Sequence, residues 1–189
     1  SENWVLAEQL FNDGLTAAGF QGDVQFANGG VSEQQNQIQA MVTKGAKVLI
    51  IAAIDGSTLS DILRKAQEAG AKVFAYDRLI RESPNVDYYA AFDNFAVGVA
   101  QAGSIVDSLD LNNAAGPFNI ELFAGSPDDN NAGFFFNGAM SVLQPFIDSG
   151  KLVVQSGETK FPEQVGTLRW SGDAAQARDV AIDRLDEQL

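Results

Sequence analysis

The 189-residue chain contains neither cysteine nor histidine. Without cysteine there can be no disulfides, thiolate metal sites or cysteine nucleophiles. Without histidine, the commonest metal ligand and the usual general base near neutral pH are missing. Together these absences exclude most familiar hydrolase constellations. The lack of cysteine leaves the redox compartment open, since it suits cytosolic and exported proteins equally. Basic residues are scarce as well: 12 Lys and Arg against 25 Asp and Glu give a formal net charge of −13. The averaged surface field repels phosphate backbones and anionic membranes, which argues against a nucleic-acid binder. No apolar run reaches the roughly 18 residues needed to span a bilayer; the longest candidate is Val48 to Ile54. The residues from Ser1 form neither a basic n-region nor an apolar h-region, so any export signal is expected to have been removed or never to have existed.

What is present is material for a core. Hydrophobic residues make up 46% of the chain and charged residues 20%, a balance that argues against disorder and fits one compact domain or two small lobes. From Glu2 to Ala18, Trp4, Val5, Leu10, Phe11, Leu15 and Ala18 roughly follow a helical period, and Gly19 supplies a stop. A short strand is expected over Asp23 to Ala27. Ser32 with Gln35 reads as a capping box opening a helix that carries Ile38, Met41 and Val42 and ends at Gly45. Lys47 to Ile54 is apolar without alternation, as expected of a strand buried on both faces. Thr58 with Asp61 reads as a second capping box, for a helix reaching Gly70, and Val73 to Tyr76 as another buried strand. Helix, glycine and strand thus recur at Gly19, Gly45 and Gly70, roughly 25 residues apart, the length of one step in a parallel sheet.

Beyond Ser83-Pro84-Asn85 the alternation continues. Strands are expected at Tyr88 to Phe92, Phe118 to Phe123 and Leu152 to Gln155. Helices are expected at Phe95 to Leu109, Asn131 to Asp148 and Asp173 to Leu189. The class is α/β with right-handed crossovers. The start is unusual, because doubly wound sheets open on a strand and this chain opens on a helix. In the usual order, Val24 to Phe26 and Val48 to Ile54 would lie about 10 Å apart with a neighbour missing between them. A fragment, a swapped strand or an altered sheet order would each account for this.

In open α/β sheets the ligand crevice lies beyond the carboxyl ends of the strands. The residues there are strongly polar: Asn28-Gly29-Gly30, Asp55-Gly56-Ser57-Thr58, Asp77-Arg78, Asp93-Asn94, Ser126 to Asn131 and Ser156-Gly157. Asn28, Asp55 and Ser57 are explained equally well as turn formers and helix caps. Arg78 is different, since turn propensity does not ask for arginine at the end of a buried strand. Its fork of donors beside the Asp77 carboxylate suits vicinal hydroxyls, with a structural ion pair as the competing reading. One of Asp128 to Asn130 is expected to cap the following helix. Asp128 and Asp129 oppose an anionic ligand, no phosphate-loop pattern is present, and the spacing of an EF-hand is absent. Trp170 reads either as a stacking platform for a pyranose face or as a core residue, and Trp4 is equally ambiguous. Phe134-Phe135-Phe136 suits a helix core with one ring lining the crevice.

At these residues a resemblance becomes specific. Val42 to Ala52, Tyr76-Asp77-Arg78-Leu79-Ile80, Phe92-Asp93-Asn94 and Gly125-Ser126-Pro127-Asp128-Asp129-Asn130-Asn131-Ala132 resemble the monosaccharide-binding proteins of bacterial ABC importers, in the xylose or multiple-sugar branch. Gly166-Thr167-Leu168-Arg169-Trp170 matches a stretch of the same branch. The resemblance covers nearly the whole chain and is weakest after Asp179. It implies a two-lobed periplasmic-binding-protein-like α/β fold with parallel sheets flanked by helices. The N-terminal lobe would span 1–93 and the C-terminal lobe 94–189, both incomplete and the first strand missing. Asp77, Arg78, Asp129 and Asn131 would hydrogen-bond the sugar, Trp170 would stack on it, and Asp93 and Asn94 would lie at the hinge or crossover. Where family members commonly carry a basic residue before the position of Trp4, this chain has Asn3.

The implied function is a non-enzymatic, extracytoplasmic solute-binding protein for a neutral aldose such as xylose, glucose, galactose or arabinose, with a role in transport and chemotaxis. Its partners would be the monosaccharide and the membrane permease of an ABC importer, with no cofactor, metal, nucleic acid or membrane span of its own. It would be periplasmic or extracellular, or lipid-anchored at the cell surface. The alternatives are the effector lobe of a sugar-responsive transcription regulator, which requires a helix-turn-helix before Ser1, and a small carboxylate-dependent glycosidase.

Overall fold

A computed structural model describes residues 2–164. The chain forms α1 (Glu2–Ala17), α2 (Val31–Thr43), β1 (Val48–Ile51), α3 (Ser60–Glu68), β2 (Lys72–Tyr76) and β3 (Tyr88–Ala90). It continues through α4 (Asn94–Ser108), β4 (Phe118–Ile120), α5 (Asn130–Asp148) and β5 (Leu152–Val154) to a 3-10 turn over Phe161–Gln164. The expected helix at Asp173 to Leu189, the stretch Gly166 to Trp170 and Trp170 itself lie outside the described residues. Among the described residues no helix is long and apolar enough to cross a membrane.

Two parallel sheets each carry their own core. In the first, ordered β1-β2-β3, Leu49 pairs with Val73 and Ala75 with Tyr89. Its core joins Ile38 of α2, Leu49 and Ile51 of β1, Ile62, Leu63 and Ala66 of α3, and Val73 and Ala75 of β2. In the second, β4 pairs with β5, and Ala102 and Val106 of α4 meet Leu143 of α5 and Leu152 of β5. Helices α4 and α5 pack backbone to backbone: a Cβ on Gly98 would stand 2.1 Å from the Phe135 carbonyl oxygen, and one on Gly138 2.1 Å from that of Phe95. The glycine stops hold. Gly45 and Gly70, at φ 88° and 81°, turn the chain out of α2 and α3 in a conformation that side chains disfavour.

Three expectations need correction. Asp23 to Ala27 is not a strand; the Phe26 carbonyl accepts from the Gln37 amide at 3.0 Å, so α2 satisfies backbone that a sheet would otherwise have to pair. The stretch containing β1 is not buried on both faces, since Val48 and Ile50 are 51% and 44% exposed while Leu49 and Ile51 enter the core. β1 is an edge of the three-strand order, and its pattern alternates. Neither capping box forms. Helix α2 opens at Gly30 and α3 at Leu59, both without a side-chain cap. The Gln35 amide instead donates to the Thr58 carbonyl at 2.8 Å, and the Thr58 hydroxyl turns back to the Asp55 carbonyl at 3.0 Å. One tertiary contact thus draws a residue out of each box. Helix α1 forms where its periodicity places it, but Val5 and Leu10 stand exposed. Phe11 makes its contact with the first sheet, edge-on to Tyr76 at a centroid distance of 5.1 Å.

Candidate functional site

The site is built where β2 ends and α5 begins. Asp77 follows the last residue of β2 in the left-handed region, at φ 61°. Aspartate tolerates this conformation better than most residues, and such backbone persists only when its surroundings hold it. They do so here. The Asp77 amide donates to the Ala90 carbonyl at 2.8 Å, and the Asp77 carbonyl accepts from the Asn131 amide at 2.9 Å and the Tyr89 hydroxyl at 3.3 Å. The turn aims the next side chain along the strand ends: Arg78 Nη1 donates to the carbonyls of Ala53 and Ile54 at 3.3 and 3.2 Å. Its Nε lies 3.3 Å from Asp129 Oδ2.

From the opposite side, Asp129 caps α5. Its Oδ1 accepts from the Asn131 amide N–H at 3.0 Å, leaving Oδ2 to face Arg78. Asn131, in the first turn of α5, is only 5% exposed. Its Nδ2 is committed to Asp77, whereas its Oδ1 and Arg78 Nε are buried without a hydrogen-bond partner. An unsatisfied buried polar group costs about 1–3 kcal/mol; Asp129 offsets part of that at Arg78 Nε through the ion pair, and Asn131 Oδ1 is left as the unmet acceptor of the site.

Asp77, Arg78, Asp129 and Asn131, expected from sequence, are therefore brought together. The ion pair has a different partner from the one expected, since Arg78 reaches across to Asp129 rather than pairing with its neighbour Asp77. Burial, and then the Asp129 carboxylate, push the Asp77 carboxyl above its ordinary range against the pull of Arg78. The same combination of burial and the two carboxylates raises the Tyr89 phenol. Asp93 accepts from the Ala96 amide at 2.9 Å as the cap of α4, and Asn94 begins that helix buried. Both lie on the connection from the first sheet to α4. Asp55 and Ser57 match the turn-former reading: Asp55 Oδ1 accepts from the Ser57 amide and hydroxyl at 2.8 and 2.7 Å, which lowers its pKa.

Three contributors carry no distinctive signal in the sequence. Tyr89 was visible only as a strand residue, and Asn130 was submerged in its polar cluster. Gly56 looked like an ordinary turn residue. Among the described residues no three acidic, histidine or cysteine side chains converge as metal ligands. What remains is a half-buried cluster that combines one guanidinium, two carboxylates and a carboxamide, suited to an uncharged, hydroxyl-rich molecule.

Two parallel sheets joined near Asp93, with polar side chains converging beyond their strand ends, define the periplasmic-binding-protein type of fold. The chain belongs to the periplasmic binding protein domain family, whose model matches residues 1–181. It is 65% identical over 178 residues to the multiple sugar-binding periplasmic receptor ChvE of Rhizobium radiobacter, covering 94% of this chain and 50% of that protein. It is 39% identical over 153 residues to the D-xylose-binding periplasmic protein of Escherichia coli, covering 81% of this chain and 44% of that one. An ABC transporter solute-binding protein of Clostridium phytofermentans, solved with bound β-D-glucose, superposes with a TM-score of 0.84 at 42% identity, over 92% of this chain and 52% of that chain. The chain thus spans about half the length of the curated relatives it matches.

Proposed function

We propose that this protein is a periplasmic receptor that binds a neutral monosaccharide, an aldose such as glucose or xylose, and delivers it to the permease of an ABC importer without chemically changing it. The observation that carries the reading is the buried Asn131 amide. Its nitrogen is held by the Asp77 carbonyl and its oxygen has no hydrogen-bond partner, which offers an acceptor to a hydroxyl; Arg78 Nε, ion-paired with Asp129 Oδ2 at 3.3 Å but not hydrogen-bonded, is the donor of the same cluster. The charge fits a neutral ligand, because Arg78 is already balanced by Asp129 and the further carboxylate of Asp77 opposes an anion. The sugar-binding relatives and the glucose-bound structure support the same ligand class.

In this reading residues 1–93 and 94–189 belong to two lobes that hinge at Asp93 and Asn94. Asp77 and Arg78 bind from the first lobe, Asp129 and Asn131 from the second, and Trp170 stacks on the sugar face. Closure removes water from both sides of the ligand and strengthens each polar contact. Calorimetric titration of the full-length protein with xylose, glucose, galactose and arabinose tests the function. Saturable one-site binding of at least one sugar is expected, and no binding of any would overturn it.

A further inference from the structure

One contact between the start of α5 and the segment after β2 uses none of the side chains assigned to the sugar. Asn130 opens α5, and its Nδ2 donates to the Leu79 carbonyl at 3.1 Å, 51 residues away in sequence. The acceptor is fixed from behind. The Arg81 amide donates to the Gly56 carbonyl at 2.8 Å, tying the segment after β2 to the loop after β1. Gly56 lies so close that a Cβ there would stand 2.2 Å from the Leu79 oxygen and 3.0 Å from Asn130 Nδ2. A residue with any side chain at 56 would force this contact apart, so the loop is shaped to let the donor in.

We propose that Asn130, with the Leu79 carbonyl and the clearance at Gly56, is a closure latch: a positioning residue that sets how much of the protein is in the closed, binding-competent form, and through it the affinity for every sugar. The inference rests on the two-lobed reading given above. A latch made by protein atoms alone contributes equally whichever sugar is bound, because apparent affinity scales with the fraction of protein that is competent to bind. It therefore tunes strength and release rate without touching selectivity, whereas Asn131, one residue on, is the one assigned above to the sugar. Position 130 also permits a clean test. Asp129 is the helix cap, and alanine is the best helix former, so Asn130→Ala keeps α5 intact.

The experiment is titration of the full-length wild type, Asn130→Ala and Gly56→Ala with the same four sugars, together with stopped-flow release. Asn130→Ala is expected to weaken every sugar that binds by a common factor of about three- to tenfold, the scale of one net hydrogen bond, with faster release and unchanged ratios between sugars. Gly56→Ala is expected to act in the same direction. Unchanged affinity in Asn130→Ala, or altered ratios between sugars, would overturn the latch. If the wild type binds none of the sugars, the functional reading falls. Small-angle scattering then decides the latch, with a larger radius of gyration in Asn130→Ala supporting it and an equal one overturning it.

Discussion

The two ends of β2 each carry an ion pair, and they are built to opposite plans. At the amino end Lys72 meets Asp87 Oδ1 at 2.6 Å, while Asp87 Oδ2 accepts from the Val73 amide at 2.9 Å. Both carboxylate oxygens are used, and the lysine side chain is 62% exposed. At the carboxyl end the Arg78 and Asp129 side chains are 30% and 24% exposed, Arg78 Nε lies 3.3 Å from Asp129 Oδ2 without hydrogen-bonding it, and Asn131 Oδ1 has no hydrogen-bond partner. A pair that closes on itself serves the fold. A half-buried pair with capacity to spare, next to left-handed backbone at Asp77, is what the proposed sugar site would require.

The largest effect is expected at Arg78. Arg78→Ala is expected to weaken sugar binding by about 2 kcal/mol or more, roughly 30-fold, as for buried interface anchors, and Trp170→Ala by a similar amount. Calorimetry on the intact receptor checks both, and unchanged affinity would remove the residue from the site.

The two ends of β2 also respond oppositely to pH. Because burial and Asp129 raise the Asp77 carboxyl, the folded state holds that proton more tightly than the unfolded chain. The associated stability is fully present below the ordinary value of 3.8 and is lost as pH rises through the raised folded value. Asp87 has the opposite sign. The Lys72 side chain and then the Val73 amide lower its pKa, so its contribution is present above 3.8 and lost as pH falls through the lowered value. Thermal melts over a pH series should show Asp77→Asn flattening the profile above 3.8 and Asp87→Asn flattening it below. Identical profiles in the two variants would contradict the assignment.

The smallest effect is expected from Lys72→Met. The melting temperature should fall slightly, as is usual for exposed pairs, and sugar affinity should not change. A shift in affinity would show that the amino end of β2 is not merely structural.

Much of this arrangement was legible in sequence, because glycine stops, buried strand runs and polar strand ends are local signals. Residues 72 to 78 illustrate it, with a strand where the apolar run predicts one and Asp77-Arg78 at the crevice where strand polarity places them. What escaped was decided by tertiary partners. Ser32 and Thr58 have the pattern of capping residues, but Gln35 and Thr58 bond to each other's segments instead. The partner of Arg78 could not be read from adjacency, since Asp129 arrives from another helix. The alternation of β1 was hidden because Val48 and Ile50 are as apolar as their buried neighbours, and composition does not reveal which face a sheet leaves uncovered.

The central claim, that the carboxyl end of β2 and the first turn of α5 together grip an uncharged sugar, is tested most directly by a crystal structure of the full-length receptor with the aldose it binds best. Sugar hydroxyls are expected within hydrogen-bond distance of both Asn131 Oδ1 and Arg78 Nε. A sugar seated elsewhere, with those two atoms still without hydrogen-bond partners, would contradict it.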